Sequence, residues 1–237
     1  SRRAARRGGR ATALKSLRPD STLLGVVTEA APAMAMSYRS GKIEVVPSNQ
    51  KRLRTLGDGL AVKKVSAMTF DILRKTVNEI SIVNDDDMSL AISRLMERGK
   101  LLTEGSGAAG VAAAIAGKFQ KLDPKRPAVF VLCGANIDMN MISTILKRGL
   151  SYDGRWLSLR IVVDDKPGQL AAISSHMANI RANIIEVHHD RVSARCPVGY
   201  TAIRFQVETR GRDHAEELLT LLRDKGFDVE VLSVEAN

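Results

Sequence analysis

The sequence predicts an α/β chain in two parts: a parallel-sheet part, then a smaller unit of βαββαβ order. Three observations predict it. Short apolar runs alternate with helical stretches from Ala11 to Leu150, the pattern of a parallel sheet covered on both faces. A short polar joint, Ser151 to Arg155, breaks that pattern. From Trp156 onward the order is strand, helix, strand, strand, helix, strand. The chain therefore divides into 1–150, a joint at 151–155, and 156–237, with 1–10 as a basic tail.

The elements follow from local pattern. Thr22–Thr28, Glu79–Val83 and Ala128–Cys133 are apolar runs of strand length. Thr69–Val77 reads as a helix, and so does Asn84–Arg98. The latter has Asn84 as N-cap, Asp85, Asp86 and Asp87 in the first turn, Arg94 and Arg98 late, and Gly99 as the stop. Gly105–Phe119 is Ala-rich and helical, and Asp138 can cap a helix running to Arg148. In the second part Trp156–Val163 alternates as a strand, and Asp165–Leu170 turns into a helix ending near Arg181. Asn183–Asp190 and Tyr200–Glu208 flank a turn at Pro197–Gly199. Arg212–Lys225 is an amphipathic helix stopped by Gly226, and Phe227–Val234 is the last strand. That order is the ferredoxin-like split βαβ motif.

Composition narrows the function classes. At 237 residues and 44% apolar, the chain can bury a core and is not disordered for most of its length. No apolar run approaches the roughly 20 residues a membrane helix needs, so no membrane partner is expected. Two cysteines cannot form a disulfide framework, and a cytoplasmic location is the default. The formal charge of +10 is unevenly spread: residues 1–20 carry seven basic groups and one acid, whereas Trp156–Asn237 carries ten basic and twelve acidic groups. With only 4% aromatics and no helix-turn-helix or zinc-finger pattern, a nucleic-acid partner is not expected.

Several motifs bear on chemistry. Gly105-Ser106-Gly107-Ala108-Ala109-Gly110 matches GxGxxG, but a dinucleotide site also needs a preceding strand and an acid ending the next one. Lys100–Glu104 is a stub, and Asp123 precedes its strand, so the run reads as close backbone packing at a helix start. Asp85–Asp87 reads as helix-dipole complement and not as a metal cluster. His188 and His189 are strand neighbours facing opposite sides and cannot chelate one metal together. Cys196 sits in a turn, and no nucleophile–histidine–acid spacing is present. Cys133-Gly134-Ala135-Asn136-Ile137-Asp138 ends an expected strand, where α/β sheets place ligands. By chemistry alone Cys133 is either a satisfied structural cysteine or a weak donor beside a glycine that lets a flat ring approach.

These residues also carry a resemblance. The runs Asp58–Lys63, Lys100–Ala108 and Cys133–Asp138, in that order, resemble threonine ammonia-lyase (threonine dehydratase). That family has the fold type II, tryptophan synthase beta-like architecture of pyridoxal phosphate enzymes. Ala11–Asp20 and Gly25–Gly41 resemble the segment after the family's phosphate loop. Asp165–Leu170 with Asn183-Ile184 resembles an ACT regulatory domain. The resemblance implies deamination of L-threonine to 2-oxobutanoate in isoleucine biosynthesis, with serine as a further substrate and pyridoxal phosphate as cofactor; a four-stranded sheet with helices on one face leaves its edges or open face to be covered, so a homo-oligomer is expected. The resemblance also implies that Cys133 meets the cofactor's pyridine nitrogen, that Gly134 and Asn136 complete the turn, and that Glu104 lies near the ring. For the second part it implies a branched-chain amino acid effector at Asp165, Pro167, Gly168, Gln169, Asn183 and Ile184.

The sequence departs from the family at three places. The family's Schiff-base lysine falls in a part that this sequence does not contain, so no catalytic residue is expected and the chain alone is expected to be inactive. The glycine-rich phosphate loop should fall near Ser1–Arg10, where arginines stand, and the abrupt change before Ala11 reads as truncation or frameshift. Val27 and Ala33 occupy positions where relatives hold a divalent metal, so no metal is expected. The rival expectation is an amino-acid-sensing regulatory protein with a vestigial catalytic half.

Overall fold

A computed structural model describes residues 2–47, 53–123, 125–190 and 196–232. The chain forms two compact units, one up to Leu146 and one from Lys147.

The first unit opens with a helix, α1 (Arg2–Leu17), where the sequence suggested only a basic tail. Strand β1 (Leu24–Thr28) leads to α2 (Ala33–Ser40), and α3 (Ala67–Thr76) leads to β2 (Glu79–Val83). β1 and β2 pair in parallel, from Leu24 beside Glu79 to Thr28 beside Val83. Helix α4 (Asp85–Arg94) starts on a capping box: Asn84 accepts from the Asp87 amide, and Asp87 accepts from the Asn84 amide. The expected helix end near Arg98 is rewound as a π turn over Leu95–Gly99, which Lys100 closes in the left-handed region at φ 53°. Helix α5 (Gly105–Ile115) stops short of the expected Phe119, because Gly117 turns the chain at φ +63°. Ala108, Ala109, Ala112 and Ala113 let α5 approach closely, and with Val83, Met88, Ile92 and Ile145 they form the main core here.

One expected strand is absent. Ala128–Cys133 belongs to no ladder among the described residues, and Val129 and Val131 are 89% and 63% exposed. β-propensity shapes a strand, but its hydrogen bonds come from a neighbour, and the described sheet of this unit has only β1 and β2. Helix α6 (Met139–Tyr152) follows and extends into the stretch read as a joint.

The second unit contains β3 (Trp156–Asp164), α7 (Gln169–Asn179), β4 (Asn183–Asp190), β5 (Tyr200–Glu208), α8 (Arg212–Asp224) and β6 (Asp228–Leu232). The sheet order is β4-β5-β3-β6, antiparallel throughout. Residues 233–237, which hold the end of the expected last strand, lie outside the described residues. Alternation along β3 and β5 turns Leu159, Ile161, Ile203, Phe205 and Val207 inward, onto Ile173 and Met177 of α7 and Leu218 and Leu222 of α8. Buried His214 bridges two segments: its Nδ1 accepts from the Arg210 amide, and its Nε2 donates to the Ile180 carbonyl at 2.8 Å.

Candidate functional site

The turn Cys133–Asp138 lies between a segment that belongs to no helix or ladder and the start of α6. Asp138 fixes one end: its Oδ1 accepts from the amides of Asn140 (2.8 Å) and Met141 (3.3 Å). The other end is clamped to α5, since the Gly134 carbonyl accepts from the Glu104 amide at 3.0 Å. Gly134 has φ +84°, and a β-carbon there would meet the Glu104 carboxyl, with Oε2 at 2.7 Å. On the helix side, a β-carbon on Gly107 would run into the Cys133 carbonyl and the Thr103 hydroxyl. Gly105 is equally confined by the Leu56 carbonyl.

The chain thus brings Glu104 and Cys133–Gly134 together. Glu104 is the residue before α5, half-buried, and its side chain does not cap the helix. Its carboxylate stands beside the positive end of α5, where negative charge is favoured. Cys133, Gly134 and Asn136 are exposed, so the thiol faces outward beside a bare backbone. The sequence reading named these four residues and read Gly105–Gly110 as close backbone packing, but it missed Thr103, and it did not say that Gly107 packs on Cys133 and Gly105 on Leu56. The signal was in view: closely spaced glycines at a helix start mark a close backbone approach.

Other candidates have structural partners. Asp85 accepts from the Thr55 hydroxyl (2.6 Å) and the Leu56 amide (3.1 Å), and Asp87 also pairs with Lys118. His188 lies 2.8 Å from Glu186, and Cys196 accepts from Arg160. Among the described residues, no three His, Cys, Asp or Glu side chains are grouped to hold a metal ion. Lys15 donates to two carbonyls, Lys100 to the Glu97 carbonyl and Lys121 to the Asn78 carbonyl. Lys147 lies over the Trp156 ring.

In the second unit, Asp165 to Gly168 form the turn into α7. The Asp165 amide donates to the Gly199 carbonyl, and Gly168 stands before α7 at φ +93°. The hydrogen bond and charge of Asp164 raise the Lys166 ammonium above its ordinary value. Pro167 is exposed and Gln169 half-buried. Asn183 is exposed and donates to Glu208 at 3.2 Å, whereas Ile184 packs on the core. Register separates the two groups: Asn183 lies beside Glu208, which faces Trp156, whereas Asp164 lies beside Tyr200. The eight steps from Trp156 to Asp164 span about 27 Å, so one copy of the unit does not bring them together.

Known proteins were then compared. The family described as pyridoxal-phosphate dependent enzyme matches residues 7–134, a stretch that ends on Gly134. The L-threonine ammonia-lyase of Geobacter sulfurreducens is 42% identical over 224 residues, 94% of this chain and 54% of its own length. That of Thermotoga maritima is 37% identical over 225 residues with the same shares. The chain therefore spans about half the length of the curated relatives it matches. Among solved structures, threonine deaminase isoform 2 of Solanum lycopersicum in its processed form has a TM-score of 0.52 at 27% identity, over 60% of this chain and 40% of that one. Maize serine racemase has a TM-score of 0.52 at 28% identity, over 58% and 42%.

Proposed function

This chain belongs to the pyridoxal-phosphate dependent enzymes, and from that premise we propose that it is part of a threonine ammonia-lyase, followed by an amino-acid-sensing ACT unit. The observation that carries the reading is the interlock of Cys133–Gly134 with Glu104, which presents an exposed thiol beside a backbone with no side chain in the way.

Pyridoxal phosphate supplies the electron sink that weakens bonds at the carbon bearing the substrate's amino group. The residues present fit its ring. Cys133 Sγ would meet the pyridine nitrogen, where a thiol in place of an acid would suit loss of a β-hydroxyl from threonine. Gly134 would let the ring lie against the backbone, Asn136 would complete the turn, and Glu104 would hold negative charge at the ring's edge. The phosphate is not matched by the residues expected to hold it. The segment around Gly8 and Gly9 is inside α1, so its amides serve the helix and form no nest. Nor does the resemblance assign a described lysine to the internal-base role, so the chain by itself is expected to make no 2-oxobutanoate.

The reading is tested by adding saturating pyridoxal phosphate to the purified chain. Expected are no 2-oxobutanoate above the free cofactor's rate and no single lysine labelled on borohydride reduction. Turnover with one labelled lysine would overturn the inactivity and make this chain an enzyme by itself.

A second reading is a standalone amino-acid sensor. It is favoured by the second unit, whose βαββαβ elements close on a buried core of their own. Because Asn183 and the 165–169 turn lie at opposite ends of the sheet, a branched-chain amino acid touching both would sit between two copies. Slower thiol labelling of Cys133 in the presence of pyridoxal phosphate is expected on the first reading, and unaltered labelling on the second.

A further inference from the structure

The sheet of the second unit carries a block of hydrogen-bond donors at the centre of the face turned away from α7 and α8. Leu159, Ile161, Ile203 and Phe205 point into the core, so alternation sends Ser158, Arg160, Arg204 and Gln206 to the other face. Register sets them square: Ser158 lies opposite Gln206, and Arg160 lies opposite Arg204. Opposite side chains start about 5 Å apart, and neighbours on one strand face about 7 Å apart.

Like charges directly across a strand pair are destabilising, and only one of the two arginines is answered. Arg160 donates to Glu230 at 3.2 Å and to Cys196 Sγ at 3.5 Å. Arg204 is exposed, and its neighbour on β4 is His188, which lies 2.8 Å from Glu186. Among the described residues, no acceptor meets the Arg204 guanidinium. Gln206 is oriented by Trp156: its Oε1 accepts from the indole Nε1 at 2.6 Å, which leaves the amide NH2 as the open end. Ser158 is half-buried beside it, and its hydroxyl has no partner among the described residues.

We propose that this block binds a small monocarboxylate without an ammonium group. The Arg204 fork matches a carboxylate through two parallel bonds. The Gln206 amide and the Ser158 hydroxyl donate to the same oxygens, since a carboxylate offers about four acceptor positions. Arg160 adds positive charge alongside while keeping Glu230. Charge then selects among oxyanions. One positive charge is unanswered, and Glu186 and Glu230 at the rim disfavour a dianion such as phosphate. Both rim carboxylates are engaged, by His188 and Arg160, so an amino acid's ammonium meets no open acceptor. The site shares no residue with the 165–169 turn or Asn183, and it does not rest on threonine as substrate.

The test follows the side-chain NH signals of Arg204 and Gln206 in isotope-labelled full chain, titrated with propanoate at constant ionic strength. Expected is saturable movement of both, with a dissociation constant on the order of 1 mM. Arg204→Gln should weaken binding at least about tenfold, and Arg204→Lys, which keeps the charge but loses the fork, at least about threefold. Arg223→Gln, an exposed site on α8, should leave it unchanged. Inorganic phosphate and isoleucine should each bind the block at least about tenfold more weakly than propanoate. Should Arg204→Gln melt lower than the parent, Arg204→Lys and Ser158→Ala carry the comparison. No saturable movement, or movement that survives Arg204→Gln, overturns the proposal. Equal binding of phosphate would make the block a general anion patch, and equal binding of isoleucine would make it an amino-acid site; either result also overturns it.

Discussion

Gly107 and Gly110 sit on the same helix, one turn apart, yet alanine should act oppositely at the two. At Gly107 the new β-carbon meets the Cys133 carbonyl and the Thr103 hydroxyl, so backbone has to move. Gly107→Ala should cost about 1–3 kcal/mol in denaturant unfolding and expose the Cys133 turn to faster thiol labelling. At Gly110 only the Phe130 ring edge is near, at an ordinary 3.6 Å, and Gly110→Ala should gain about 0.5–1 kcal/mol from helix propensity. Glu79 offers a pH-dependent contrast. Burial raises its carboxyl, but the amides of Gln120 and Lys121, the Ser81 hydroxyl and the Lys121 ammonium outweigh it and hold it below 4.5. Its contribution is therefore complete above the unfolded value near 4.5 and lost as pH falls through the lower folded value. The melting temperature of Glu79→Gln should lie below that of the parent at pH 7, with the gap closing in acid. Cys133, Gly134 and Glu104 were singled out through the ordered motifs of the resemblance, and the structure sets Glu104 beside Gly134. Thr103 and Leu56 were not, since what they do is visible only once α5 is laid against the turn.

Elements were legible where local chemistry decides them. The Asn84–Asp87 capping box announces α4, and Asn84→Ala should cost roughly 1 kcal/mol, read as a lower melting temperature with the unfolding slope unchanged. The alternation of Trp156–Val163 announced β3, whereas which residues of β5 turn inward came only with the fold. Two helices escaped notice. α1 carries glycines at 8 and 9 among its arginines, which lowers its propensity, and α2 is only eight residues long. The segment 128–133 shows the converse limit. Its side chains read as a strand, but pairing belongs to the neighbour and cannot be read from one segment. The π turn at Leu95–Gly99 was hidden for a similar reason, because Arg98 and Gly99 look like an ordinary helix end.

At the scale of the molecule, the two units face different tests, because one closes its own core and the other leaves a strand-length segment open. In the second unit the spacing of the proposed effector residues leads to a linkage. The 165–169 turn and Asn183 are about 27 Å apart along the sheet, farther than one amino acid can reach. If a branched-chain amino acid contacts both, one copy contributes the turn and another contributes Asn183, and binding must draw copies together. Isoleucine at millimolar concentration should therefore raise the melting temperature of the full chain and shift its light-scattering mass towards the dimer. The rise should grow with protein concentration, which a site within one copy would not require. Asn183→Ala should abolish both effects while leaving the core intact, since its side chain is exposed and donates to Glu208. A thermal shift that appears without any change in mass would place the ligand within one copy, at the 165–169 turn alone. No shift with isoleucine, valine, leucine or threonine would remove the effector from this unit altogether, whatever the fate of the Cys133 turn.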